Sequence, residues 1–282
     1  MPGPLRARHL ASSTRAGHVL VKPHPLPLAK IINDLDVKNK WREYQEDGLT
    51  TDALWISKPQ KNDGKFIIPH RAGFPGNDPD FHGLFIPEIP YQFIRRFTKK
   101  GDTVFDPFAG SGTTHRIATY LERKCISTDL DPKHDFIGQA DARFVDAGEP
   151  VQLVILHPPY HNIVTYSDGN HACGSQQRTI HDFKLWFAEV VRNVDRFLEP
   201  GRMMILVCGN IYADGEELTL GVWLKDIVCG FGYKCKSQII KDYGETKGKD
   251  VKNYNINYTR QLRGHYNNFY GDNIFILQKK GK

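Results

Sequence analysis

From residue 87 onward the chain switches repeatedly between two hydrophobic periods. Apolar positions three and four apart predict helices over 88–98, 113–123, 181–198 and 218–229. In the third of these, Phe183, Trp186, Phe187, Val190, Val191, Val194 and Phe197 form one broad stripe, and Pro200-Gly201 reads as its stop. Between the helices lie apolar runs of strand length: Thr103-Val104-Phe105, Cys125-Ile126-Ser127-Thr128, Val151 to Leu156, Met203 to Cys208, then 233–240 and 273–279. Strands alternating with helices predict an α/β fold, a mostly parallel sheet with helices on both faces.

The first third of the chain lacks this regularity. Residues 1–33 hold no acid, five basic residues and three closely spaced prolines (Pro23, Pro25, Pro27), and are expected to be a flexible basic arm. Residues 34–81 form an N-terminal extension of uncertain role. Helical spacing runs through Leu28, Ile31, Ile32 and Leu35, with Leu54-Trp55-Ile56 following and a Gly/Pro/Asn/Asp-rich stretch over 57–81. The main domain is expected over 82–282, with a basic loop at 241–265.

Composition narrows the class. The chain has 282 residues, 40% hydrophobic, with a mean hydropathy of −0.48, and no apolar run of the ~18 residues that a membrane span needs. A net charge of +6 suits an acidic polymer as partner without requiring one. Five cysteines, odd in number and without CxxC spacing, predict a reducing compartment, no disulfide framework and no metal site. A cytoplasmic location follows. The Arg- and Ser-bearing, acid-free start also has the composition of an organelle transit peptide.

The unusual residues gather at three strand ends, where open parallel sheets bind ligands. The first end reads Asp106-Pro107-Phe108-Ala109-Gly110-Ser111-Gly112. A glycine turn there brings backbone N–H groups close to a ligand, and His115 stands where a dinucleotide fingerprint has its third glycine, which disfavours pyrophosphate. The second end is Asp129, whose carboxylate can accept both hydroxyl protons of a ribose or, more blandly, cap the next helix. The third is His157-Pro158-Pro159-Tyr160: two prolines after a strand fix an extended backbone, which aims a carbonyl and holds an aromatic ring.

Together these segments resemble the S-adenosylmethionine-dependent amino-methyltransferases of DNA. That family has a glycine turn like residues 106–112 and an Asp/Ser/Asn-Pro-Pro-Tyr motif like residues 157–160. Its His-Pro-x-x-x-Pro segment is echoed loosely by His82 to Pro87, and the resemblance runs over about residues 82–280. It implies a Rossmann-like fold with a seven-stranded sheet, S-adenosyl-L-methionine as cofactor and DNA as partner. It also implies site roles. Asp106, Phe108, Ala109, Gly110, Ser111 and Gly112 would cradle the methionine end, Asp129 the ribose and Asp141 the adenine amino group. His157, Pro158, Pro159 and Tyr160 would be catalytic, with His157 the departure from the family pattern. Adenine N6 is favoured over cytosine N4 on family frequency.

Residues 234–266 carry eight lysines and arginines against three acids, interleaved with Tyr254, Tyr258 and Tyr266. Basic residues with aromatics suit a phosphate backbone and exposed bases, and Lys247, Lys249, Lys252, Arg260 and Arg263 are the candidate DNA contacts. An RNA base methyltransferase and a catalytically silent nucleic-acid-binding subunit remain as alternatives.

Overall fold

The computed structural model describes residues 54–56, 87–162, 173–213, 215–242 and 271–281. The arm over 1–33, nearly all of the extension, and Lys247, Lys249, Lys252, Arg260 and Arg263 lie outside the described residues.

The described elements follow the two periods. They are β1 (Leu54–Ile56), α1 (Glu88–Phe97), β2 (Thr103–Asp106), α2 (Thr113–Tyr120), β3 (Lys124–Asp129), β4 (Gly138–Gln139) and β5 (Val151–Leu156). Then come α3 (Ile180–Asp195), β6 (Leu198–Gly209), β7 (Ile211–Ala213), β8 (Glu216–Leu218), α4 (Leu220–Gly230), β9 (Lys234–Asp242) and β10 (Gly271–Gln278). Strands β7 and β8 form a separate hairpin. The main sheet has the order β1-β9-β10-β6-β5-β2-β3-β4. Only β10 runs antiparallel to its neighbours; the other adjacent pairs are parallel. This is the expected Rossmann-like sheet of seven strands, β2–β6 with β9 and β10, and β1 from the N-terminal extension adds an eighth at the β9 edge.

Side-chain alternation along the strands builds two cores, one per face. Phe105, Ile126, Val154, Leu156, Met204, Leu206, Phe275 and Leu277 meet α3 and α4. Val104, Cys125, Leu153, Ile155, Ile205, Val207, Ile274 and Ile276 meet α1 and α2. Successive residues of the central strands β2 and β5 therefore reach the core on one face or the other, which is why these strands read as nearly continuous apolar runs.

Two helices end three residues earlier than the periodicity predicts. Helix α2 stops at Tyr120 because Glu122 takes a left-handed backbone (φ 62°) and its carbonyl accepts the Gly101 N–H. Helix α3 stops at Asp195, well before Pro200-Gly201, and β6 begins at Leu198 opposite Val151. Lys279 supplies the stop: its ammonium reaches the carbonyls of Asp195 and Leu198, satisfying groups that the helix end leaves unpaired. Pro200 and Gly201 (φ 80°) fall instead in an irregularity of β6, between its pairings with Val151 and Leu153. Among the described residues, no helix is long and apolar enough to cross a membrane.

Candidate active site

Strands β3, β2 and β5 are neighbours in the sheet, so their carboxyl ends bring the three motif segments side by side. The glycine turn after β2 is tied down from both sides. The Asp106 carboxylate, buried, accepts the Phe108 N–H at 2.9 Å, and the Ala109 N–H bonds the Thr128 carbonyl of β3 at 3.0 Å. Gly110 and Gly112 take positive φ (49° and 80°), a conformation that side-chain-bearing residues seldom adopt. Gly112 is also a close approach, since a Cβ there would stand 2.7 Å from the Phe136 ring. Phe136 itself packs on His134 and His115 and under the Arg116 guanidinium.

Asp129 ends β3 with both carboxylate oxygens engaged by backbone: Oδ2 accepts the Gly110 N–H at 2.8 Å and Oδ1 the Asp131 N–H at 3.1 Å. A carboxylate has about four lone-pair sites, and with the Leu130 N–H as a third backbone donor it keeps room for a further hydroxyl donor beside these bonds. Burial raises its pKa, against the Asp131 and Gly110 N–H groups that favour the charged form. Burial likewise pushes Asp106 up to about 6, opposed by the nearby Thr114 hydroxyl and by the bond from the Phe108 N–H. Asp141 is differently placed. It forms a bidentate pair with Arg143 (Nη2 to Oδ2, 2.8 Å), which also reaches Glu189 of α3 at 3.3 Å. A ligand amino group would meet it as one more donor on a carboxylate already paired.

The Pro-Pro-Tyr turn after β5 is held against α3. Pro159 and Trp186 both press on Gly174, where a Cβ would lie 3.0 Å from the one and 2.7 Å from the other. Trp186 in turn contacts Phe108 of the glycine turn at 5.8 Å between ring centres and stacks on Phe183 at 5.5 Å. The two motif turns thus share one aromatic support. His161 completes the row, with a left-handed backbone (φ 50°), an edge-on contact to Phe183 and a bond from its Nε2 to the Gln177 carbonyl (3.1 Å).

Tyr160 is oriented through its hydroxyl, which donates to Asp272 Oδ1 at 2.8 Å and sits 3.2 Å from His157 Nε2. The other Asp272 oxygen lies 3.6 Å from the Lys241 ammonium. Gly209 makes room, since a Cβ there would come within 2.9 Å of the Tyr160 ring and 3.2 Å of Asp272 Oδ1. Lys241 is therefore buried and paired on β9, although it opens the stretch read as a basic, phosphate-facing loop. His157 has its pKa lowered by burial, with Asp272 acting to raise it and Lys241 to lower it, so the ring is neutral at pH 7. Trp186 entered the sequence reading only as part of a helix stripe, and Gly174, Gly209 and Asp272 were not singled out. The one visible signal was Asp272-Asn273, two polar residues opening an otherwise apolar strand.

A DNA methylase family profile matches residues 13–137. The curated relatives include the type II methyltransferase M.MjaI of Methanocaldococcus jannaschii, 49% identical over 47 residues, and M.BglI of Bacillus subtilis, 33% identical over 97. These matches cover 17% and 34% of the chain, which spans only 16% and 22% of the lengths of those two relatives. Among solved structures, TrmN from Thermus thermophilus is 17% identical, with a TM-score of 0.45 over 70% of this chain and 50% of that one. The family match ends at residue 137, so it contains the glycine turn and Asp129 and stops short of the Pro-Pro-Tyr turn.

Proposed function

We propose that the chain transfers the methyl group of S-adenosylmethionine to an exocyclic amino nitrogen of a DNA base, adenine N6 or cytosine N4. The observation that carries this reading is the juxtaposition of the two turns on adjacent strand ends, the glycine turn resting through Phe108 on Trp186 and the Pro-Pro-Tyr turn through Pro159 on Gly174.

The residues fit the cofactor. The left-handed turn at Gly110 and Gly112 carries no side chain of its own at those two positions, Phe108 offers an apolar wall, and Asp129 keeps acceptor capacity for a ribose. When bound, the cofactor supplies a methyl group on an electrophilic sulfonium. The rest is the chain's own work. An exocyclic amino nitrogen has its lone pair delocalised into the ring, and acceptors placed on its two N–H groups favour the pyramidal geometry in which that pair is free to attack. The Pro158 carbonyl and the neutral His157 ring are those acceptors, and the fixed Pro-Pro backbone supplies orientation ahead of reaction. After transfer the nitrogen carries a surplus proton, which neutral His157 can take where a protonated one could not. A stacked base cannot enter such a site, so the nucleotide must be flipped out or single-stranded.

Incubation with methyl-labelled S-adenosylmethionine and, separately, duplex DNA, tRNA and no acceptor tests the reading. Label is expected in DNA. Label in tRNA alone would replace the DNA reading with an RNA one, and cofactor binding without transfer to either would mark a silent subunit.

A further inference from the structure

We propose that Asp272 and Lys241, from the last two strands, are positioning residues that act through the Tyr160 hydroxyl to hold His157 with its proton on Nε2 and its acceptor lone pair on Nδ1. The inference rests on the methyltransferase reading above and deepens it. It says how a histidine serves at a motif position where the family places Asp, Asn or Ser.

The argument is one of proton count. Tyr160 has a single hydroxyl proton, and at 2.8 Å it goes to Asp272 Oδ1. The hydroxyl oxygen then offers only lone pairs to His157 Nε2, 3.2 Å away, so that nitrogen must be the donor. A neutral imidazole has one N–H, and with Nε2 protonated Nδ1 is the acceptor. Lys241, 3.6 Å from Asp272 Oδ2, pairs with the carboxylate and holds it in place. The whole chain of groups is buried or half-buried, where such bonds are stronger and an ill-fitting proton costs more. Gly209 on β6 admits the Tyr160 ring and the carboxylate to the same spot. Among the described residues, Cys208 on β6 is a further titratable group facing this site, and burial and Asp272 keep it as a neutral thiol. Among the described residues, Asp272 and Lys241 are charged groups that act on His157. A serine or asparagine in place of the histidine would present its acceptor with no tautomer to choose, so only histidine needs this apparatus.

Full-length protein labelled with 15N-histidine allows the test. His157 is assigned by the signal that disappears in His157→Asn, and its two ring nitrogens are read by long-range 15N–1H correlation across a pH series. The wild type is expected to show protonated Nε2 and unprotonated Nδ1 at pH 7.5. Tyr160→Phe keeps the ring and removes the acceptor, so the two tautomers should mix. The charge variants should move the His157 titration in opposite directions. Asp272→Asn removes an anion that favours the charged ring and shifts it to lower pH, while Lys241→Met shifts it to higher pH. In the methylation assay, Asp272→Asn should lower kcat by about tenfold or more with the DNA KM and cofactor Kd nearly unchanged. Protonated Nδ1 in the wild type, or charge variants that leave the titration unmoved, would overturn the proposal. So would loss of kcat in step with KM and thermal midpoint, the mark of a merely structural pair. Wild-type protein with the expected tautomer and no methyl transfer to nucleic acid would overturn the methyltransferase reading alone. An active enzyme with Nδ1–H would overturn the tautomer assignment alone.

Discussion

Asp106 shows what a binding turn demands of a single residue. Its carboxyl caps the turn by accepting the Phe108 N–H, yet burial opposes its ionisation and pushes the pKa up to about 6 from an unfolded value of 3.8. Its stabilising contribution is therefore full below the unfolded value and is lost as pH rises through about 6. Asp106→Asn keeps a carbonyl acceptor without the charge. It should stabilise the fold at pH 7.5 by about 2–3 kcal/mol and lose that advantage by pH 4, read by urea unfolding at both pH values. An equal difference at the two pH values would place the effect elsewhere. Asp129→Ala should instead leave the fold nearly intact and weaken S-adenosylmethionine binding by ~1.5–3 kcal/mol in calorimetry. Unchanged affinity in folded protein would remove Asp129 from the site. Both carboxylates were legible in the sequence because each sits at a strand end beside its motif. Asp272 and Lys241 were not, because their partner Tyr160 is 112 residues from Asp272 in the chain and only the sheet order brings β9 and β10 to β5's end.

Elements were legible where one period ran unbroken and were misjudged where a tertiary contact set the boundary. Helix α3 looked three residues longer than it is because Phe197 continues its apolar stripe, while the actual stop is a lysine from β10's far end. Strands β4, β7 and β8 have two or three residues each, too short for any period to register. Helix α4 offers a test of how packing overrides propensity. Gly230, at its end, has open space where a Cβ would go, so Gly230→Ala should stabilise by about 0.5–1 kcal/mol. Gly221, in its first turn, lies against β6: a Cβ there would stand 2.7 Å from the Cys208 carbonyl oxygen. Gly221→Ala should therefore destabilise, by about 1–3 kcal/mol, the opposite sign for the same substitution in the same helix. Thermal unfolding of the two variants decides it, and a common sign would mean that α4 does not press on the sheet as described.

For the whole molecule, the sheet confers an asymmetry: the motif turns all lie at the carboxyl ends of β2, β3 and β5, with β9 and β10 contributing Lys241 and Asp272. The chain carries a net charge of +6, and its candidate phosphate-binding residues, Lys247, Lys249 and Lys252, follow β9 closely in sequence. If they track a DNA backbone, replacing all three by Ala should lower affinity on two unrelated duplexes alike. It should also flatten the dependence of log affinity on log salt by roughly one unit for each phosphate no longer neutralised. An unaltered slope would mean that these lysines are only solvated. The central claim, methyl transfer to an exocyclic amino group, is tested most directly by the product. DNA treated with the protein and isotopically labelled S-adenosylmethionine is digested to nucleosides and separated by mass. The account predicts label in N6-methyladenine or N4-methylcytosine, present with the wild type and absent with a Pro158-Pro159 double replacement; label in 5-methylcytosine, or on no DNA nucleoside, would contradict it.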